Sequence, residues 1–256
     1  MIQANKLKQN LARNHRQIGL WCSLASNVTA EAVAGSGFDW LLIDGEHAPN
    51  DLRSIMAQLQ AVAPYPLEPV VRLPSADPFL IQQYLDVGAR AIMIPDVRTA
   101  AGAAAIIAAT RYPPRGVRSV STSIRANRYG HVPNYHANAD QDICMILQIE
   151  SPEGAANAEA IAAVDGVDAL FIGPADLSTN MGHFIQPGHD DVQKAMIAIR
   201  DAARRRNKAV GILAGAIADA ERYLKLGMAL VAVGSDQGLL TKASDQLAQH
   251  FRQLPE

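Results

Sequence analysis

ALFIGPADLS, residues 169–178, is the stretch on which the fold turns. Ala169 to Ile172 is a short apolar run of strand type that stops at Gly173-Pro174-Ala175 and then presents an acid, Asp176. A strand buried on both faces reads as a continuous apolar run, and parallel α/β barrels place catalytic groups at the C-terminal ends of such strands. Asp176 is therefore the first candidate site residue. Its partner belongs on a neighbouring strand end, and ICMILQIE, residues 143–150, supplies one. Side chains alternate along a strand, so Gln148 and Glu150 share a face; if that face is inward, Glu150 and Asp176 converge.

Working outward, the same strand-then-helix rhythm repeats along the chain. Strands are expected at residues 17–24, 40–44, 69–73, 91–94, 143–150, 169–172, 209–213 and 229–233, all Val-, Ile- or Leu-rich. Helices alternate with them at 27–35, 52–63 (capped by Asn50 or Asp51), 77–87, 99–110, 152–163, 192–206 and 217–226, after a short amphipathic helix at the N-terminus. Eight such strands argue for an α/β fold of the (β/α)8 TIM-barrel type, one domain over residues 1–256. A length of 256 residues with 49% hydrophobic content suits one large core.

Two segments break the rhythm. Residues 111–142 show little periodicity and contain Arg115, Arg118, Arg125, Arg128, His131 and His136, which marks them for function or a subunit contact. The last helix, 240–254, carries a stripe of Leu240, Ala243, Leu247, Phe251 and Leu254 that must pack on its own barrel or on a neighbour's. A formal charge of −2 provides no footprint for nucleic acid or an anionic membrane. Arg204-Arg205-Arg206 reads as an exposed helix end. Without an apolar leader or a membrane-length run, a cytoplasmic protein is expected. Cys22 and Cys144 lie in strand-like segments and read as core thiols.

The polar residues at the expected strand ends are Asp44, Glu46, His47, Arg72, Asp96, Gln148, Glu150, Asp176, Ser235 and Asp236. Each has a plain alternative: Asp96 and Asp236 read as caps, His47 as a hydrogen-bonded loop residue, Arg72 as an ion-pair partner. Convergence shifts the balance, because burying Arg72, Glu150 and Asp176 in one mouth requires that they pair or hold an ion. Two carboxylates without a cysteine suit Mg²⁺ or Mn²⁺ as a Lewis acid better than structural zinc. Arg72 would then stabilise an enolate and His47 move a proton, while Glu46 either orients water or closes its loop. No lysine stands at a strand end for a Schiff base, and no Walker or GxGxxG motif implies a nucleotide. Val233-Gly234-Ser235-Asp236 could cradle an anion, a weak signal because glycine also serves simply to turn the chain.

LLIDGEHAPND (41–51), PVVRLP (69–74), LDVGA (85–89), LQIESPE (147–153) and GVDALFIGPADLSTNMG (166–182) resemble the metal-dependent pyruvate aldolases typified by 4-hydroxy-2-oxoheptanedioate aldolase. TRYPPRGVR (110–118) and LVAVGSDQGLL (230–240) extend the likeness over nearly the whole chain. The resemblance implies class II aldol cleavage, with pyruvate as enolate donor and an aldehyde as acceptor. It assigns Glu150 and Asp176 to a divalent metal (Mg²⁺ or Mn²⁺, with Co²⁺ also admitted), His47 to the base and Arg72 to the enolate. It further assigns Asp86 to raising the basicity of His47, and Gln148 with the Gly173-Pro174-Ala175 backbone to the pyruvate moiety; Asp44 is expected to orient His47. A homohexamer, a trimer of dimers with the last helix exchanged between neighbours, is also implied. Departures from the usual pattern, Ser119-Val120-Ser121 and LAGAIADA at 213–220, are expected where the acceptor is chosen. The rivals are an acyl-CoA thioester lyase of the same superfamily and a non-catalytic keto-acid-binding barrel.

Overall fold

The computed structural model describes residues 4–254, so the outermost positions of the expected domain, 1–3 and 255–256, lie outside the described residues. Eight parallel strands close into a barrel in chain order. They are β1 (Gln17–Cys22), β2 (Trp40–Asp44), β3 (Glu68–Arg72), β4 (Ala91–Ile94), β5 (Cys144–Ile149), β6 (Ala169–Ile172), β7 (Ala209–Leu213) and β8 (Leu230–Ser235). The helices are α1 (Lys6–Ala12), α2 (Asn27–Ala34), α3 (Leu52–Val62), α4 (Pro78–Asp86), α5 (Ala100–Thr110), α6 (Tyr135–Asp142), α7 (Pro152–Ala156), α8 (Ala158–Ala162), α9 (Pro174–Asn180), α10 (Asp190–Arg205), α11 (Ile217–Lys225) and α12 (Asp236–Arg252). Among the described residues no helix is long and apolar enough to cross a membrane.

Strand parity divides the apolar residues into two cores. Trp21, Trp40, Leu42, Val70, Met93, Ile146 and Phe171 point into the barrel, while Leu41 and Ile43 of β2 and Leu170 and Ile172 of β6 point out, toward α2 and α3 or toward the wider helix shell. The inner parity continues to the strand ends, where it delivers Asp44, Arg72 and Gln148 to the upper rim. Gly19 is required by packing: a Cβ there would lie 2.2 Å from the Trp40 ring. Helix α1 closes the opposite end, burying Leu7 and Leu11 in the inner core. Asn5 donates to the carbonyls of Arg90 and Asp142, and Lys8 donates to Ile143 and pairs with Asp168.

The structure differs from the expectations at several elements. The helix expected at 152–163 is broken at Asn157 into α7 and α8, where the Asn157 side chain donates to the Arg98 carbonyl at 2.9 Å. A helix not expected, α9, follows β6 directly, because Pro174 occupies a first-turn position that needs no N–H. Residues 111–142 contain a 3₁₀ turn at Arg125–Asn127 and α6, with Ile124, Tyr135 and Ala139 forming a small core of their own. This segment joins α5 to β5 and therefore lies at the barrel's lower end. Arg118 pairs with Asp86 at 2.6 Å and Arg125 donates to the Val87 carbonyl, fastening it to the end of α4. Ser119 to Ser121 thus sit away from the mouth of their own chain, and only the 213–220 departure lies on the rim. The stripe on the last helix does not pack on its own barrel: Leu240, Leu247, Phe251 and Leu254 are all exposed.

Both cysteines are buried without disulfides. Burial, with Asp236 adding to it, pushes the Cys22 thiol up to about 12; burial also holds Cys144 well above the ordinary thiol range. Thiolate is the reactive form, so folded protein treated with iodoacetamide at pH 8 should gain no mass, while protein in urea should take up two labels. Labelling of the folded chain would contradict the packing of β1 and β5.

Candidate active site

Asp44 is the organising side chain of the mouth. It lies on the last residue of β2, buried to 1% exposure. Its carboxylate accepts from Arg72 Nε at 3.0 Å and Arg72 Nη2 at 2.6 Å, from Trp21 Nε1 at 3.0 Å, and from the backbone N–H groups of Glu46 and His47. The two-point contact is the fork geometry that guanidinium and carboxylate favour. Burial works to raise the Asp44 pKa, but these hydrogen bonds and the Arg72 charge prevail and hold it below the usual carboxylate value. Arg72 also lies over the Trp21 ring, 4.8 Å from its centroid, and its Nη1 pairs with Glu46 Oε2 at 2.8 Å. Asp44 orients the His47 loop through the backbone, and its side chain is committed to Arg72 instead of the imidazole.

His47 projects from that loop with two thirds of its side chain exposed, its Nε2 3.9 Å from Glu46 Oε2. Glu46 therefore stands between the arginine and the histidine. Burial raises the Glu46 pKa; Arg72 and His47 oppose the rise, while Asp44 and Asp176 add to it. Asp86 is not brought to this group. It ends α4 at the lower rim, where it pairs with Arg118, so within one chain it is remote from His47. Its place just before β4 was the signal for that, since helices in such barrels run down from the mouth.

The acid pair forms across β5 and β6. Gln148 and Glu150 share a face as parity requires, Gln148 Nε2 donating to Glu150 Oε2 at 2.5 Å. The other oxygen of Glu150 accepts the backbone N–H of Asp96 at 2.8 Å, and Asn180 of α9 donates to the Glu150 carbonyl at 2.9 Å. Asp96 adopts a left-handed backbone (φ 48°) and its carboxylate holds Arg98, so it serves Glu150 through its amide and caps nothing. Burial, with the charges of Asp176 and Glu46, pushes the Glu150 pKa up to about 7. Asp176, in the first turn of α9, thus faces Glu150 from the next strand end. Gly173 permits the approach: a Cβ there would meet Glu150 Oε2 at 2.3 Å and Gln148 Nε2 at 2.8 Å. Pro174 and Ala175 complete the turn, half-buried and exposed respectively.

Three crowded carboxylates and the unpartnered buried Oε1 of Gln148 form a set of oxygen donors with excess negative charge. That set fits a hard divalent cation. A second group, His183, His189 and Asp191, has ligand atoms within 4.8 Å of one another. Its imidazoles stack with centroids 3.5 Å apart and planes 18° apart, so their lone pairs do not converge on one point. The expected anion cradle after β8 is filled by the chain itself: Asp236 accepts the N–H groups of Ser23 and Leu24 at 2.8 and 3.2 Å. A cavity of about 620 Å³ lies at the lower end beside α1, lined by Lys6, Asn10 and Glu68 among others, away from the groups of the mouth.

Comparison with known proteins points the same way. The sequence profile of the HpcH/HpaI aldolase/citrate lyase family matches residues 17–243. A hydroxypyruvate/pyruvate aldolase of Pseudomonas aeruginosa is 50% identical over 98% of this chain and 94% of its own. A 4-hydroxy-2-oxo-heptane-1,7-dioate aldolase of Salmonella heidelberg is 48% identical over 96% of this chain and 94% of its own. The crystal structure of an HpcH/HpaI aldolase/citrate lyase family protein from Burkholderia cenocepacia superposes with a TM-score of 0.95 at 42% identity, covering 97% of this chain and 100% of that one.

Two substitutions test the construction of the mouth. Asp44→Ala removes the two-point partner of a buried guanidinium, leaving it Glu46 alone, and should lower stability by about 3–5 kcal/mol, read from urea denaturation; a change within about 0.5 kcal/mol would show the pair to be dispensable. Gly173→Ala should lower stability by about 1–3 kcal/mol and weaken Mn²⁺ binding by calorimetry in the folded variant, because the added methyl displaces Glu150. Undiminished affinity would separate Gly173 from the acid pair.

Proposed function

The chain belongs to the HpcH/HpaI aldolase/citrate lyase family, and from that premise we propose that it is a metal-dependent aldolase. It cleaves 4-hydroxy-2-keto acids, 4-hydroxy-2-oxoheptanedioate among them, reversibly to pyruvate and an aldehyde. The relatives named aldolases at 48–50% identity over nearly the full chain support the reaction. The observation that carries the metal is the convergence of Glu150, Asp176 and Glu46, whose mutual repulsion a divalent cation relieves. Glu150 and Asp176 are its ligands in this reading, and their oxygens suit Mg²⁺ or Mn²⁺, with Co²⁺ also accommodated. When bound, the ion polarises the keto group of the substrate as a Lewis acid.

The chain's own residues supply the remainder. Gln148 and the Gly173-Pro174-Ala175 turn border the acid pair and hold the keto-acid end of the substrate. Arg72 is fixed by Asp44 and Glu46, yet each of its terminal nitrogens keeps a second N–H. Those donors face charge developing on the enolate oxygen, a preorganised arrangement that needs no rearrangement during reaction. His47, exposed at the edge, takes the proton from the 4-hydroxyl. The bond between carbons 3 and 4 then breaks, its electron pair passes into the enolate as the aldehyde departs, and carbon 3 takes a proton from water while His47 gives its own back to solvent, leaving pyruvate. The uncovered stripe of Leu240, Leu247 and Phe251 on α12 supports the hexamer that the resemblance implies.

Pyruvate release from racemic 4-hydroxy-2-oxoheptanedioate should require added Mn²⁺ or Mg²⁺ after exhaustive treatment with EDTA. His47→Ala should reduce turnover by about 10²- to 10⁴-fold, and Arg72→Lys by about 10²- to 10³-fold, with circular dichroism unchanged. Release that survives chelation would remove the metal from the reading, and near-normal turnover in either variant would remove that residue.

A further inference from the structure

Among the described residues the imidazole of His47 makes no hydrogen bond of its own, and its one ionic contact is Glu46 Oε2 at 3.9 Å. A side chain so placed stands where its backbone puts it. That backbone is the loop following β2, residues 45–50, and both of its ends are tied to Asp44. The Asp44 carboxylate takes the amides of Glu46 and His47 at 2.9 and 3.2 Å, while the Asp44 carbonyl takes the side-chain amide of Asn50 at 2.7 Å. Asn50 is itself held from behind: its Oδ1 accepts from Ser54 Oγ at 2.8 Å and from Gln58 Nε2 at 2.7 Å.

Gln58 departs from the apolar pattern of α3. Ile55, Gln58, Leu59 and Val62 form the buried i, i+3, i+4, i+7 stripe of that helix, and Gln58 is 1% exposed within it. Its Nε2 donates to Asn50 and, at 3.2 Å, to the Ser54 carbonyl of its own helix; its Oε1 accepts nothing among the described residues. A buried amide with an idle acceptor lowers stability relative to an apolar side chain of the same length. Its role therefore lies in what it holds, and it holds Asn50.

We infer that Gln58 is a positioning residue for His47: through Asn50 it fixes the far end of the loop and with it the place of the imidazole. The inference rests on the aldolase reading, in which His47 carries the proton. It separates two properties that a purely structural residue would move together. Removing the Gln58 amide lowers activity and leaves stability intact.

The test is Gln58→Met, which keeps an unbranched side chain and removes the amide. The urea midpoint should equal or exceed that of the wild type, because no partner is stranded: Asn50 Oδ1 keeps Ser54 Oγ. In the Mn²⁺-loaded full chain, kcat for pyruvate release from 4-hydroxy-2-oxoheptanedioate should fall by about five- to fiftyfold, with KM and the calorimetric Mn²⁺ affinity unchanged. On a His47→Ala background the same substitution should change kcat by less than about twofold, since a residue acting through the imidazole then has nothing to place. Asn50→Ala should lower kcat at least as far, and Gln58→Met added to it should lower kcat no further. Amide hydrogen exchange in Gln58→Met, followed by mass spectrometry, should quicken over residues 45–50 and match the wild type over β5 and β6. A wild-type kcat, a loss confined to KM, a full loss repeated on the His47→Ala background, a weakened Mn²⁺ affinity, a lowered midpoint or unchanged exchange in the loop each overturns the inference. Absence of pyruvate release from the wild-type chain overturns the aldolase reading, and loop exchange then still decides whether Gln58 orders the segment that carries His47.

Discussion

A guanidinium buried under the mouth of a barrel constrains everything around it. Arg72 sits at the top of the apolar inner column, with the Trp21 ring beneath it, where an unpaired charge is untenable. Asp44 must be ionised, buried and aimed at it. Once so aimed, the same carboxylate gathers the Trp21 indole and the amides of Glu46 and His47. The position of the loop carrying the histidine is thus a by-product of solving the arginine's problem. Asn50 strengthens the arrangement by donating to the Asp44 carbonyl at 2.7 Å.

On the opposite wall the problem has the reverse sign. Glu150 is surrounded by Asp176 and Glu46 and receives help only from the amide of Asp96, Gln148 and the more distant Arg72. One wall therefore carries its own counter-charge in Arg72, and the other is short of positive charge. A mouth divided this way holds its guanidinium in place whether or not a substrate is present. It also leaves an electrostatic deficit whose oxygen donors suit a cation.

Much of this was legible in the primary structure because strand parity is strict. Knowing that 143–150 and 169–172 are buried parallel strands is enough to place Gln148 and Glu150 together and Asp176 beside them. Parity also places Trp21, two residues beyond Gly19, on the inward face of β1, but its role as a donor to Asp44 depends on a cross-strand distance that parity does not give. The rest was illegible for physical reasons. Asp96 acts through a backbone amide in a left-handed turn, which its side chain does not advertise. Glu46 left two roles open until the distance to Arg72 was known. Asp86 was assigned by resemblance to the histidine, yet one chain gives it to Arg118, because the connection 111–142 folds under the barrel. The turn after β8 has the composition of an anion cradle, but the carboxylate of Asp236 takes the amides of Ser23 and Leu24 itself.

That last carboxylate also bears on how the ring of strands stays shut. The pairing of β1 with β8 shifts register between Gly19 and Trp21, so the ladder falters near the mouth. There Asp236 reaches Ser23, a contact spanning 213 residues of chain. Closing a loop of that length forfeits about 5 kcal/mol of chain entropy relative to a contact between neighbours. The seam consequently carries a high entropic cost of closure. It is secured just beyond its register shift by a charge-assisted hook.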